Sequence, residues 1–173
     1  MNADSVNKWL TLGANLGVLM GITLVAYEIN QATVTTRAEM ISSYQDRWVT
    51  IDLSWQSEDL ASAWAKAIEN PEDLTVTEMV QLNGFMWSYI DHVSTHRLLW
   101  ELGVFKESQG SIEDIYLTNA VLFFGNKFTQ SWLAENRVEL NSQTAAAIDR
   151  ALETVTTDEN LNFYKRIKTR IGE

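Results

Sequence analysis

The stretch Trp9–Tyr27, WLTLGANLGVLMGITLVAY, lies between Lys8 and Glu28 and holds 19 residues without a charge. Wound as an α-helix it spans roughly 28 Å, close to the hydrocarbon thickness of a bilayer. Trp9 and Tyr27 stand at its two ends, where amphipathic rings prefer the headgroup level. Residues 9–29 therefore read as a transmembrane anchor, preceded by a short tail, 1–8, and followed by a domain covering 30–173. Two other readings compete. A cleaved signal peptide calls for more than one basic residue in front and a small-x-small site behind, whereas Ala26 is followed by Tyr27 and Glu28. A buried central helix of a soluble domain would account for the polar Thr11, Asn15 and Thr23.

Inside the run, Gly13, Gly17 and Gly21 recur at i, i+4 and i+8. Side chains missing along one face let two backbones approach, and packing is the main force between helices in lipid. Glycine is also simply common in membrane helices. Glu28 falls near the glycine face, and Asn15 and Thr11 point roughly the other way. A seam on one side and a carboxamide on the other suit a homo-oligomer, or docking among other membrane-protein subunits. If the seam lines a symmetric assembly, Glu28 forms an acidic ring of the sort cation pathways use; otherwise it is a carboxylate in interfacial water.

Downstream, Val34, Ala38, Ile41, Tyr44, Trp48, Ile51 and Trp55 recur at steps of three and four. They predict an amphipathic helix continuous with the anchor, weakest at the β-branched Thr33–Thr36. Ser57 caps a short helix ending near Asn70, where Pro71 enforces a break. Thr75 and Glu78 form a capping box ahead of a long central helix that reaches about Leu102, with Gly103 as its stop. Ser111 is expected to cap a helical stretch bent at Gly125 and running past Trp132. Ser142 and Asp158 open the last two helices. No alternating run reads as a strand. The fold class is all-α: one transmembrane helix plus a bundle of about five or six helices.

The segment Tyr27-Glu28-Ile29-Asn30-Gln31-Ala32-Thr33, following the apolar run, resembles a group of small uncharacterised bacterial proteins. These open with a membrane helix, continue through a Glu-Ile-Arg-Gln-Asn-Thr-like stretch, and end in an all-helical domain. Leu99–Phe105, LWELGVF, is similar to the end of that group's central helix. Asn30 stands where the pattern has Arg, and Ala32 where it has Asn. The resemblance implies a membrane-associated helical protein and supplies no activity or site residue.

Composition narrows the function. The formal net charge is -10, and phosphate backbones need a cationic surface, so nucleic acid is not an expected partner. Without cysteine there is no disulfide and no thiolate metal site. His92 and His96 share one helical face at i, i+4, a spacing able to chelate zinc or another transition metal. A metalloprotease helix carries Glu after the first histidine, and Val93 stands there. Phe85, Tyr89 and Leu99 share the face, so two hydrogen-bonded histidines at a core edge is the favoured reading, and no cofactor is assigned. A bis-histidine haem is disfavoured because neighbours on one helix cannot clamp opposite sides of one iron. The acidic pairs Glu58/Asp59, Glu72/Asp73 and Glu113/Asp114 fall in first turns or loops, where they favour the helix dipole. Lys165, Arg166, Lys168 and Arg170 are a candidate anionic-lipid contact, or simply cations favoured at a helix C-terminus.

No triad, phosphate-binding glycine loop or nucleotide fingerprint occurs. The leading expectation is a non-enzymatic, membrane-anchored interaction protein, single-pass in the cell inner membrane with its body on the cytoplasmic side. The alternatives are an oligomeric ion-conducting assembly lined by the glycine face and Glu28, and a metal-dependent enzyme using His92 and His96.

Overall fold

The computed structural model of the chain describes residues 2–105 and 121–172. Its regular elements are α1 (Ala3–Trp55), α2 (Glu58–Glu69), a 3-10 turn (Pro71–Asp73), α3 (Val76–Glu101), α4 (Lys127–Asn136), α5 (Ser142–Leu152) and α6 (Glu159–Ile171). Residues 121–124 are also helical. No strand occurs among the described residues, so the fold is all-α, with one long apolar N-terminal helix. Ser111 and the Glu113/Asp114 pair lie outside the described residues.

The chain divides into two compact units, Met1–Ser43 and Tyr44–Glu173. The first is α1 up to Ser43. Its side chains from Trp9 to Met40 are all exposed, Val34 and Ala38 included. The second unit takes up the chain from Tyr44. The apolar period of three and four runs on unchanged through both units, but only its later members are used in the bundle core: Ile51 is buried there, with Trp48 and Trp55 packed against it.

Caps set the ends of the bundle helices. Ser57 Oγ accepts from Leu60 N at the start of α2. Thr75 Oγ1 accepts from Glu78 N, and Glu78 Oε2 accepts from Thr75 N at 2.8 Å, completing the capping box of α3. Lys66 of α2 bonds the other Glu78 oxygen at 2.6 Å, tying the two helices together. Lys66 first, then the Thr75 backbone and hydroxyl, hold the Glu78 carboxyl down to about 2. At the far end of α3, Gly103 takes φ +67, Gly103 N donates to Trp100 O and Val104 N to Leu99 O. This is the Schellman arrangement, and it needs glycine because a Cβ disfavours the left-handed region.

One expected helix is two. The helical residues stop at 124, and Asn126 adopts an extended conformation with its side chain accepting from Thr129 N at 2.9 Å to cap α4. What the expected bend at Gly125 becomes is a contact with α6. Asn160 N donates to Gly125 O at 3.0 Å and Asn160 Nδ2 to Leu122 O at 2.5 Å. A Cβ on Gly125 would stand 2.6 Å from Asn160 Oδ1 and 2.7 Å from Val121 O. Ser142 is the first residue of α5, and Asn141 before it is the N-cap, accepting from Gln143 N.

The core gathers around α3. Leu82, Met86 and Tyr89 are fully buried, and Ala63 and Ala67 let α2 come close. Trp55 meets Trp64 and Phe85 edge to face at 4.9 and 4.5 Å, and Tyr89 stacks on Phe123 at 4.0 Å. Trp87 packs against Trp132, whose indole N–H donates to Asn83 Oδ1 at 2.8 Å.

Two glycine substitutions should have opposite signs. Gly125→Ala forces backbone to move and is expected to cost about 1–3 kcal/mol. Gly84→Ala, mid-helix on an exposed turn of α3 with nothing within 4 Å of the new methyl, should stabilise by roughly 0.5–1 kcal/mol. Denaturant midpoints of the two variants check both; equal shifts would contradict the contact between Gly125 and α6.

Candidate functional site

α1 is long and apolar enough to cross a membrane, and none of its apolar window is buried. Leu19 and Ile22 are about as exposed as Trp9 and Tyr27 at the run's ends. A buried central helix would be covered by its own domain, and no part of this window is covered within the described chain. The polar residues within the run fall into two kinds. The hydroxyls of Thr11 and Thr23 donate to Asn7 O and Leu19 O, both at 2.9 Å, so they demand nothing further. Asn15 is exposed and its carboxamide has no hydrogen bond among the described residues. Gly13, Gly17 and Gly21 are exposed too, and a Cβ at any of them would meet nothing within 4 Å. No contact within the described chain requires these glycines. Glu28 is likewise exposed.

The two histidines sit elsewhere, within the second unit. His92 and His96 are 3% and 9% exposed on α3, facing the last turns of α1. The His92 ring lies almost flat against Tyr44 at 4.2 Å and leans on Trp48 at 4.7 Å. The His96 ring stacks on Phe105 at 4.6 Å, and its Nδ1 is 2.7 Å from the Tyr44 hydroxyl. Burial pushes the Tyr44 phenol up to about 12. Burial also lowers His96, and it takes His92 down to about 4, helped by the neighbouring His96 and Arg47 and opposed by Asp91. Both imidazoles are thus neutral at pH 7. The phenol O–H is the natural donor to His96 Nδ1, which leaves the ring proton on Nε2.

His92 Nδ1 and His96 Nε2 are buried and without a hydrogen-bond partner. An open groove of about 530 Å³ runs beside them, walled by Tyr44, Trp48, Val49 and Val93. Neutral imidazoles are in the right state for a metal, but one nitrogen of His96 is engaged by Tyr44. Among the described residues no cluster of three or more His, Asp or Glu surrounds the pair. His96 is hydrogen-bonded, as its place at a core edge implies; His92 is held by ring stacking instead. Tyr44 was missing from the sequence-derived pair. Its signal was available: Tyr44 and Trp48 repeat on α1 the i, i+4 spacing of His92 and His96 on α3.

Lys165, Arg166, Lys168 and Arg170 lie on α6, all exposed. Of these, Arg166 reaches Glu159 at 3.4 Å. The sequence-derived candidates thus fall on three features, the exposed run of α1 in the first unit and the histidine junction and the end of α6 in the second.

The histidine junction makes stability depend on pH with a definite sign. A histidine whose folded pKa lies below its unfolded value contributes no penalty above about 6.5, and loses stability as pH falls toward the folded value. His92, held near 4, should cost up to about 1.4 kcal/mol per pH unit between roughly 6 and 4. Glu78, held near 2, adds a second loss that begins only below about 4.5. Thermal melts between pH 7 and 5 should decline for the parent and flatten for His92→Gln/His96→Gln. A double variant with the parent's full slope would show that the junction does not titrate.

Comparison of the chain with protein-family models, with curated proteins and with solved structures returned no match.

Proposed function

We propose that the chain is a non-enzymatic, membrane-anchored helical interaction protein, acting as a homo-oligomer or as an accessory subunit of a larger membrane complex. The observation that carries this reading is the fully exposed apolar face of α1 from Trp9 to Tyr27. Apolar surface on this scale, left in water, is a site for membrane or protein contact. A run of this length without charge fits the bilayer, with Trp9 and Tyr27 at the two headgroup levels. On this reading the span crosses the cell inner membrane once.

Two further features support association within the membrane. Asn15 leaves a carboxamide unmet inside the span, and a polar amide in hydrocarbon gains by bonding to a neighbouring helix. Gly13, Gly17 and Gly21 leave the opposite face free of side chains, which favours close backbone contact. The body would then be carried to a partner by the span rather than perform chemistry.

Membranes carrying the full-length chain should retain it through alkaline and high-salt washes. Recovery as a soluble monomer without detergent would overturn the reading. In a bilayer mimic, Gly17→Leu should reduce cross-linked oligomer far more than Leu19→Ala, because the leucine separates backbones that only packing holds together. Asn15→Val should fall between them, in line with the roughly 0.6–2 kcal/mol of interhelical polar contacts. Disruption of a co-purifying complex by Asn15→Val alone would favour the accessory subunit over the homo-oligomer.

A further inference from the structure

The last helix, α6, begins in the bundle and ends outside it. Asn160 in its first turn is 1% exposed and bonded to the chain around Gly125. Every residue from Tyr164 to Gly172 is exposed. At about 100° per residue, Asn160, Tyr164, Ile167 and Ile171 fall within an arc of roughly 60°. The stripe that faces the bundle in the first turn therefore leaves it by degrees: Tyr164, which lines a groove with Trp55 and Trp64, and Ile167 are 47% and 40% exposed, and Ile171 is 80% exposed.

Cations line both edges of that stripe. Lys168 lies about 40° and Arg170 about 60° beyond the stripe's two edges, with Lys165 and Arg166 about 100° beyond them on the same two sides. Residues 165–170 contain four basic side chains and no carboxylate, in a chain whose formal charge is -10. Among the described residues only Arg166 has an acidic partner, at 3.4 Å on its own helix. Favourable interaction with the helix dipole explains cations in a last turn. It does not explain an exposed isoleucine stripe between two cationic edges.

We propose that the exposed end of α6 docks on the surface of an anionic phospholipid bilayer, lying in the headgroup plane. The isoleucines would enter the acyl boundary, and the aliphatic stems of the lysines and arginines would carry their charges up to the phosphates. Charge complementarity selects this occupant: the edges are cationic and the surface is anionic. The inference rests on the membrane reading above, which brings the body to a bilayer. It adds a second contact, and because anionic lipid enriches the cytoplasmic leaflet, it places the body on that side.

The absence of cysteine makes the test direct. An environment-sensitive fluorophore on Gly172→Cys reports the helix end in the full-length chain, reconstituted in nanodiscs of phosphatidylcholine alone or mixed with phosphatidylserine. The emission should move to the blue, and acrylamide quenching fall severalfold, only in the anionic discs, and high salt should reverse both. Changing Lys165, Arg166, Lys168 and Arg170 to Gln together should abolish the response. So should Ile167→Ser/Ile171→Ser, which leaves every charge in place; circular dichroism confirms that each variant folds. Equal signals in both lipids would overturn the proposal. A response that tracks protein concentration rather than lipid charge would also overturn it, assigning the stripe to a second copy of the chain. If the chain fails to incorporate, the anchor reading is lost. Docking then stands or falls on whether the detergent-free chain floats with phosphatidylserine vesicles in a salt-sensitive way.

Discussion

The bundle depends on one aromatic seam, where the last turns of α1 lie against α3. Tyr44, Trp48 and Trp55 supply the rings on one side; His92, Tyr89 and Phe85 answer them on the other. Trp64 of α2 and Phe123 of the helical residues 121–124 close onto the same rings. Each large ring buries roughly 150–250 Å², and well-oriented pairs add about 0.5–1.5 kcal/mol beyond that area. Four segments, the outermost separated by the whole of α2 and α3, thus share one contact set. Small residues elsewhere serve it: Ala63 and Ala67, both fully buried, let α2 approach near enough for Trp64 to reach Trp55.

The seam contains an internal tension. An aliphatic pair at 92 and 96 would pack without unmet polar atoms. The imidazoles leave His92 Nδ1 and His96 Nε2 without partners, and a buried unsatisfied group costs about 1–3 kcal/mol. The ring stacking on Tyr44, Trp48 and Phe105 and the single bond to the Tyr44 hydroxyl offset that cost only while both rings stay neutral. Acid tips the balance, because a cation there must be desolvated beside Arg47, while Asp91, which bonds Arg47 at 3.5 Å, is itself largely in water.

Local signals were legible in the sequence and distant ones were not. Ser57, the Thr75/Glu78 box and Gly103 work within a few residues of themselves, so their types and spacing suffice to place helix ends. The unbroken course of α1 could be read from the lack of any strong breaker between Tyr27 and Trp55; Thr33, in its weakest stretch, simply bonds back to Ile29 O. Gly125 was different. A glycine inside an apolar pattern fits a bend as well as a break, and what decides is Asn160, brought up against it from 35 positions away in the chain. The start of the bundle at Tyr44 was hidden for a related reason. A period of three and four tells which face of a helix is apolar, and says nothing about where along the helix another element covers that face. The Tyr44–His96 bond, joining residues 52 apart, depends on the register of α1 against α3, which no local motif encodes.

The same distinction between a patterned face and a covered face governs the two ends of the chain. At the N-terminal end the apolar residues surround the helix, leaving no polar side to face water; such all-round apolarity belongs in a bundle core or in lipid. Here the residues are exposed rather than packed in a core. At the C-terminal end the apolar residues keep to one stripe with charges along its edges, which suits a boundary between an apolar and an aqueous phase rather than the interior of either. Between them lies a body with 18 acidic and 6 basic residues from Ile51 to Tyr164, whose surface is repelled by anionic headgroups. Four cations gathered at the end of α6, in a chain of formal charge -10, give that end a sign opposite to the rest of the body, so attraction to an anionic surface would be confined to one edge of it.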